Sequence, residues 1–89
     1  MYHVYMIKNA DDKLYVGISE NPDKRVSYHN QQRGAQFTKH GRNFHMVFKE
    51  EYQVLPEARK REIQIKKWSR KKKEVLIKRY KSGLLTKLK

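Results

Sequence analysis

The sequence contains no cysteine, which excludes disulfide bonds and thiolate metal sites. The spacing of His3, His40 and His45 is not that of metal ligands, so we assign no zinc site. A chain without cysteine suits a reducing compartment, and we expect a cytoplasmic protein.

Long apolar runs are also missing. No segment approaches the roughly 20 consecutive apolar residues that a membrane-spanning helix needs. The first residues, Met1 to Val4, lack the basic region and the apolar core of a secretory signal. We therefore expect no membrane-spanning segment and no membrane partner.

Acidic residues are scarce, chiefly in the last third of the chain. The sequence carries 22 Lys and Arg against 9 Asp and Glu, a net charge of +13. Residues 1–58 hold 8 basic and 7 acidic residues, a balance of +1, whereas residues 59–89 hold 14 and 2, a balance of +12. This asymmetry predicts a polyanionic partner, with nucleic acid first and an anionic membrane surface second. The alternative is a solvated basic helix, as in small ribosome-associated proteins.

The length of 89 residues predicts one domain with a thin core and modest stability. We place this domain at residues 1–83 and treat residues 84–89 as a basic C-terminal tail.

Two short apolar segments near the start predict a β-hairpin. Residues 2–8 and 13–18 are rich in Val, Tyr, Ile and Leu, and a turn-like segment lies between them. If Tyr5 lies opposite Tyr15, both phenols project from one face, and a shift of one residue would separate them. We expect Gly17 to serve backbone geometry rather than chemistry.

A helix is predicted from Pro22 to about Asn30. Asn21 is a good N-cap, and proline suits the first helical position. Arg25 and His29 are four residues apart and therefore share one face of this helix.

The polar residues 31–43 predict a loop, and residues 44–54 a third strand. The basic residues of the loop make it a candidate for substrate contact, and an ordinary surface connection is the equal alternative. In the strand, Phe44, Met46 and Phe48 alternate with His45, Val47 and Lys49.

The next helix is predicted from Pro56 to about Trp68. A spacing near 3.6 residues gives it an inward face of Leu55, Ala58, Glu62 and Ile65, while Arg59, Lys60 and Arg61 point elsewhere. A carboxylate that faces inward on a strongly basic helix requires a partner or a metal. Trp68 is predicted to pack in the core, with base stacking as the alternative.

A last helix is predicted from about Arg70 to Ser82. Ser69 caps its start, Gly83 suits its end, and the predicted core contacts are Leu76, Ile77 and Tyr80. The order strand, strand, helix, strand, helix, helix predicts an α+β fold in which helices flank a small three-stranded antiparallel sheet.

An ordered set of motifs resembles the GIY-YIG nuclease superfamily, and most closely its small stand-alone prokaryotic (UPF0213-like) members. The match covers about residues 2–77. It consists of Tyr5, then Tyr15-Val16-Gly17, then Asp23-Lys24-Arg25-Val26-Ser27-Tyr28-His29-Asn30, then Glu57-Ala58-Arg59-Lys60-Arg61-Glu62, then Lys66-Lys67-Trp68-Ser69-Arg70.

The resemblance implies cleavage of DNA phosphodiesters with a divalent metal, Mg²⁺ or Mn²⁺. It implies that Tyr5 and Tyr15 are the two motif tyrosines, that Arg25 and His29 are the helix residues of the site, and that Glu62 binds the metal. Taken singly, the two tyrosines are ordinary strand residues, Arg25 and His29 a solvated helix face, and Glu62 an ion-pair partner.

Two departures from the family pattern concern catalysis. The first motif reads His3-Val4-Tyr5, so that histidine replaces its glycine, and no asparagine follows Glu62. An interpretation without efficient catalysis therefore stays open.

We predict a metal-dependent DNA endonuclease that is structure-selective or weakly specific for sequence, with a role in DNA repair or recombination. The alternative is a catalytically weak or inactive nucleic-acid-binding module that acts within a larger repair complex. The sequence gives no oligomeric state. The residues predicted to hold the nucleic acid are Lys39, Arg42, Arg59, Lys66, Lys67, Arg70, Lys71 and Lys72.

Overall fold

The computed structural model describes residues 1–31 and 44–86, without the side chains of residues 28, 29 and 31. The predicted order of elements and the α+β class are confirmed. The strands are β1 (Tyr2–Lys8), β2 (Leu14–Ser19) and β3 (His45–Tyr52), and the helices are α1 (Pro22–Gln31), α2 (Leu55–Lys66) and α3 (Arg70–Lys81).

The three strands form an antiparallel sheet in the order β2-β1-β3. Tyr5 lies opposite Gly17, and Tyr15 lies opposite Ile7. Tyr5 and Tyr15 are therefore not directly opposite each other but are offset by two residues. Strand β2 begins at Leu14, one residue later than predicted. A shift of two residues preserves the face, so both phenols still project from the same side of the sheet.

The turn between β1 and β2 is organised by one amide side chain. The Asn9 side-chain oxygen accepts hydrogen bonds from the backbone N–H groups of Asp11 and Lys13, both at 2.9 Å. Asp12 has a positive φ of 66°, a conformation that aspartate tolerates better than most residues. The extra length of the turn sets the observed register.

Helices α2 and α3 cover one face of the sheet, and α1 packs on the other. The larger core joins Val4, Met6 and Phe48 of the sheet to helix residues that include Ala58, Ile65, Leu76 and Ile77, with Tyr80 packed at its margin. The smaller core joins Tyr5 and Ile7 to Val26 of α1. The predicted core contacts of α3 are confirmed by this arrangement.

A bulge in β3 breaks the predicted alternation. Met6 pairs with Phe48, but Ile7 pairs with Met46, so Val47 is the additional residue. Met46 packs with the α1 core and Phe48 with the α2–α3 core. The two side chains that a regular strand would place on one face therefore lie on opposite faces.

Arg61 does not point away from the core as the helical spacing predicted. Its guanidinium donates to both carboxylate oxygens of Glu50, at 2.9 and 3.0 Å, and Glu50 is buried in β3. The Tyr52 hydroxyl donates to the same carboxylate at 2.8 Å. Burial, followed by the hydrogen bond to Glu50, raises the pKa of Tyr52. A buried carboxylate requires such a partner, and only the tertiary fold supplies it.

The helix ends follow the predicted signals. The Asn21 side chain accepts from the Lys24 N–H, and the Ser69 hydroxyl accepts from the Lys72 N–H. Gly83 has a φ of +76°, and the bonds Gly83 N–H to Tyr80 and Leu84 N–H to Arg79 complete the helix end.

Residues 84–86 are held by further hydrogen bonds, since the Arg79 and Arg61 side chains donate to the carbonyls of Leu85 and Thr86. The domain boundary at residue 83 stays a prediction. In the described part of the chain, every helix is too short or too polar to cross a membrane.

Candidate active site

The centre of the candidate site is the phenol of Tyr5 on the central strand. Tyr5 is only 5% exposed and packs with Ile7 and Val26, with Met46 at the margin of the same cluster. The backbone of β1 therefore fixes the side of the sheet on which the phenol lies, and α1 covers the ring.

Gly17 has a definite structural role beside this ring. A Cβ atom at Gly17 would lie 2.7 Å from the Tyr5 hydroxyl oxygen and 2.8 Å from its Cζ atom. Any larger residue would collide with the phenol, which passes over the edge strand at this point. The structure thus gives Gly17 a steric role, because the Tyr5 ring takes the space that a side chain at position 17 would need.

The electrostatic surroundings of Tyr5 bring three predicted residues together. Burial raises the pKa of the Tyr5 phenol above its usual value, the Arg25 guanidinium lowers it, and the Glu62 carboxylate raises it. These two charges come from α1 and α2, which pack on opposite faces of the sheet. Both charges influence the pKa of the Tyr5 phenol, which lies over Gly17 of strand β2.

Glu62 lies on the flank of α2 with a side chain only 13% exposed. Its carboxylate pairs with Lys66 one turn later on the same helix, at 3.2 Å. The Lys66 side chain is 54% exposed, so a ligand of Glu62 can displace it at small cost, as is usual for exposed pairs along a helix.

Tyr15 lies at the rim of the site rather than inside it. Its side chain is 46% exposed and makes an edge-to-face contact with Phe44, with ring centroids 5.4 Å apart. Tyr15 and Gly17 are two residues apart on the same face of β2, so the Tyr15 phenol lies beside the point where the Tyr5 ring crosses the strand.

Arg25 is exposed and makes no ion pair with another described residue. Its guanidinium is therefore available to an anion that approaches the Tyr5 face. The side chain of His29 lies outside the described residues, so its place in the site stays a prediction.

One residue that supports the site was missed from the sequence. The Asn30 side chain donates to the Phe44 carbonyl at 2.9 Å and accepts from the Phe44 N–H at 2.8 Å. These two hydrogen bonds hold the end of α1 against Phe44, the residue that directly precedes β3. An asparagine near a helix end is the only local signal of such a contact.

The eight cations predicted to bind nucleic acid differ in their surroundings. Lys39 and Arg42 lie outside the described residues. Lys66 and Arg70 are each engaged by an acid of their own helix. The others are exposed and make no ion pair within the described ranges 1–31 and 44–86: Arg59, Lys67, Lys71 and Lys72.

Among the described residues, Glu62 is the carboxylate whose charge acts on the Tyr5 phenol, so it is the candidate metal ligand of this site. In residues 1–31 and 44–86, no group of three or more His, Asp or Glu side chains is arranged to hold an ion. Mg²⁺ usually takes one or two carboxylates and fills its shell with waters and substrate phosphates. The lone carboxylate of Glu62 fits such a hard, largely hydrated ion.

Known proteins are similar to this chain over most of its length. Residues 1–75 match the family described as the GIY-YIG catalytic domain. UPF0213 proteins of Staphylococcus aureus strains Mu3 and Mu50 are each 43% identical over 77 residues, which cover 86% of this chain and 94% of theirs.

A solved structure is similar as well. The solution NMR structure of a UPF0213 protein from Bacillus halodurans aligns with a TM-score of 0.57 and 30% identity, covering 88% of this chain and 84% of that one. The matching family is one of nucleases that are generally metal-dependent.

Proposed function

Since this chain belongs to the GIY-YIG catalytic-domain family, we propose that it is a metal-dependent endonuclease that hydrolyses DNA phosphodiester bonds. One observation carries the proposal: the charges of Arg25 and Glu62 both act on the buried phenol of Tyr5. A permanent cation, a carboxylate and a phenol are the groups that phosphodiester hydrolysis needs for charge stabilisation, metal binding and proton transfer.

Glu62 would hold the divalent ion, Mg²⁺ or Mn²⁺, through its carboxylate oxygens. When bound, such an ion polarises the phosphate and lowers the pKa of a bound water. The partial burial of Glu62 strengthens its attraction for a cation, since water screens the carboxylate on fewer sides. Binding would release the exposed ammonium of Lys66 from the carboxylate.

Tyr5 would act first as a hydrogen-bond donor. Burial raises its pKa, so the phenol carries its proton at neutral pH. It can orient a water or a phosphate oxygen through that proton. To remove a proton from water, Tyr5 needs a cation that outweighs burial and the repulsive charge of Glu62.

Arg25 would bind the scissile phosphate. Its guanidinium is permanently charged and offers two parallel N–H donors to phosphate oxygens. Tyr15, at the exposed rim, would donate to a neighbouring phosphate, and His29 would relay a proton one helical turn from Arg25.

The basic helices would hold the DNA through its backbone. Contacts to phosphates position a duplex but carry no sequence information, and the exposed cations of α2 and α3 are contacts of this kind. We therefore propose a structure-selective or weakly specific activity, in the cytoplasm, in DNA repair or recombination. A larger repair complex would then supply selectivity that this small domain lacks.

A cleavage assay tests the proposal. Purified protein is incubated with branched, nicked, single-stranded and duplex DNA in the presence of Mg²⁺ or Mn²⁺. Glu62→Gln and Tyr5→Phe should each lower the rate at least about 100-fold, the usual effect of removing an acid–base or charge-stabilising group. Glu57→Gln, the same substitution on an exposed first-turn residue of α2, should leave it unchanged. Cleavage that survives both site variants would refute the proposal.

The ion pair between Glu62 and Lys66 favours a second candidate, a nucleic-acid-binding module without catalysis. In this case the carboxylate already has its partner, and the protein contributes only its basic surface. Such a module would bind DNA in a salt-sensitive manner and cleave none of the substrates with any divalent ion. Metal-dependent cleavage that Arg25→Ala abolishes would exclude it.

A further inference from the structure

A cleft of about 290 Å³ lies between α2, α3 and the C-terminal residues, away from the candidate active site. Trp68 and Val75 supply apolar walls, and Lys72 and Arg79 supply positive charge. Tyr5, Arg25 and Glu62 are absent from its lining. The cleft is therefore a separate feature that the proposed catalytic chemistry does not use.

The C-terminal wall of this cleft is built by specific hydrogen bonds. Arg61 donates to the Thr86 carbonyl at 2.9 Å, and Arg79 donates to the Leu85 carbonyl at 2.8 Å. The positive φ of Gly83 turns the chain back at the end of α3. These contacts fix residues 84–86 against the helices, so the cleft exists before any ligand arrives.

The chemistry of the walls suits a flat aromatic group that is joined to a negatively charged phosphate. The Lys72 ammonium lies 4.4 Å from the centroid of the Trp68 ring, and the Arg61 guanidinium lies 5.3 Å from it. Lys72 is exposed, so a base that stacks on this ring can displace its ammonium to a neighbouring phosphate. Val75, which is 53% exposed, offers an aliphatic contact that currently faces water.

The surface of α2 connects this cleft to the catalytic carboxylate. Successive residues of a helix rotate by about 100°, which places Glu62 on one flank of the buried stripe and Gln64 and Trp68 beyond the opposite flank. The exposed face between these flanks carries four cations: Arg59, Lys60, Lys66 and Lys67. A DNA strand can cross this face with its phosphates on the cations.

We propose that the cleft binds an unpaired nucleobase of a DNA strand whose backbone crosses the exposed face of α2. Stacking on an aromatic ring beside cations is the usual mode of single-strand binding. Paired bases are stacked inside a duplex and cannot enter the cleft. If the cleft binds such a base, the cleaved DNA carries a single-stranded segment near the scissile bond, and this consequence rests on the proposed function.

Tryptophan fluorescence tests the cleft directly, because Trp68 is the only tryptophan of the sequence. The full chain is titrated without metal with oligothymidylate, with an abasic oligonucleotide of the same length, and with a blunt duplex. Oligothymidylate should quench the fluorescence, whereas the other two should bind through their phosphates with little quenching. Equal quenching by all three, or no quenching by bound oligothymidylate, would overturn the inference.

A pair of matched variants separates the cleft from general charge effects. Val75→Glu places a carboxylate inside the cleft, and Val54→Glu makes the same change at a valine that is 48% exposed outside it. Both residues are exposed, so both variants should fold. Val75→Glu should weaken oligothymidylate binding by on the order of 10-fold more than Val54→Glu does, in line with the loss of one stacked base. Equal losses would contradict the inference.

The two proposals fail in different ways. Quenching that depends on Val75, together with no cleavage of any DNA, would refute the nuclease and leave the base-binding cleft intact. Cleavage that depends on Glu62, together with no base-dependent quenching, would refute the cleft alone.

Discussion

A methyl group at position 17 is expected to displace the Tyr5 ring and to weaken both folding and catalysis. The added carbon would lie 2.8 Å from the Tyr5 Cζ atom, well inside the contact distance of about 3.5–4.0 Å between nonbonded carbons. The ring has little room to move, because it is buried against Ile7 and Val26. Overpacking a core by one methyl costs about 1–3 kcal/mol, so Gly17→Ala should lower the free energy of unfolding by that amount.

Removing the ring should reverse this effect. In a Tyr5→Val background the space above Gly17 is empty, and Gly17→Ala should then be neutral or stabilise the protein by about 0.4–1 kcal/mol, since alanine restricts the unfolded chain. The double-mutant cycle across positions 5 and 17 should therefore give a coupling energy of at least about 1 kcal/mol. Urea unfolding of the four proteins, followed by Trp68 fluorescence, measures the coupling.

Gly83→Ala is the control for this cycle. Among the described residues no atom lies within 4 Å of a Cβ at Gly83, but its φ is +76°. The substitution should cost about 1–2 kcal/mol through backbone strain alone, and it should show no coupling to Tyr5. A Gly17→Ala protein with wild-type stability and wild-type cleavage would mean that the Tyr5 ring is not held over Gly17, and the geometry of the site would be wrong.

Three further measurements test the buried ion pair, the buried phenol and the basic surface. Glu50→Ala should lower the free energy of unfolding by about 3–5 kcal/mol, because it leaves the Arg61 guanidinium without its buried partner. Glu51→Ala, the same change at an exposed site, should cost less than about 1 kcal/mol. Urea unfolding that gives similar losses for both variants would refute the importance of the buried ion pair. The pKa of the Tyr5 phenol is raised in the folded protein, so the phenol keeps its proton at a pH of about 10, where an unfolded tyrosine begins to lose it. The stability that depends on this protonated phenol is fully present below that pH and is lost as the pH rises through the folded pKa. The difference in tyrosinate absorbance between wild type and Tyr5→Phe measures this titration, and a component at or below the ordinary pKa would disprove it. DNA affinity should fall steeply with salt, and Lys67→Ala should reduce the salt slope by about one unit; an unchanged slope would show that Lys67 makes no phosphate contact.

Local signals were sufficient to predict most of the helix and strand bounds. Asn21 with Pro22, Ser69 and Gly83 act on the backbone within a few residues, and the structure shows the cap bonds that the sequence predicts. The Val, Tyr and Ile residues of β1 predicted this strand for the same reason, since their preference for extended backbone, next to a turn-like segment, is a local signal.

Contacts between distant segments could not be predicted in this way. Arg59, Lys60 and Arg61 form one basic run, yet only Arg61 meets a buried carboxylate, which belongs to a strand 11 residues earlier. The bulge at Val47 and the register of the hairpin also depend on how strands pair rather than on any one segment.

The candidate site was predicted through the resemblance to a family, not through spacing. Arg25 and Glu62 lie on different helices, and nothing in their local sequence reveals that both act on Tyr5. The role of Gly17 is similar, because the sequence indicates a special backbone position but not the ring that occupies the space above it.

The fork of Arg61 on Glu50 has a mechanical consequence for α2. Arg61 and Glu62 are consecutive residues of α2, so a contact that fixes Arg61 also fixes the direction in which Glu62 leaves the helix. Two parallel hydrogen bonds oppose rotation of the helix about its axis, whereas the single ammonium of a lysine at position 61 would allow more rotation. A lysine at position 61 would keep the net charge but lose the two-pronged contact with Glu50, so the orientation of the neighbouring Glu62 carboxylate would rest on the core packing of Ala58 and Ile65 alone.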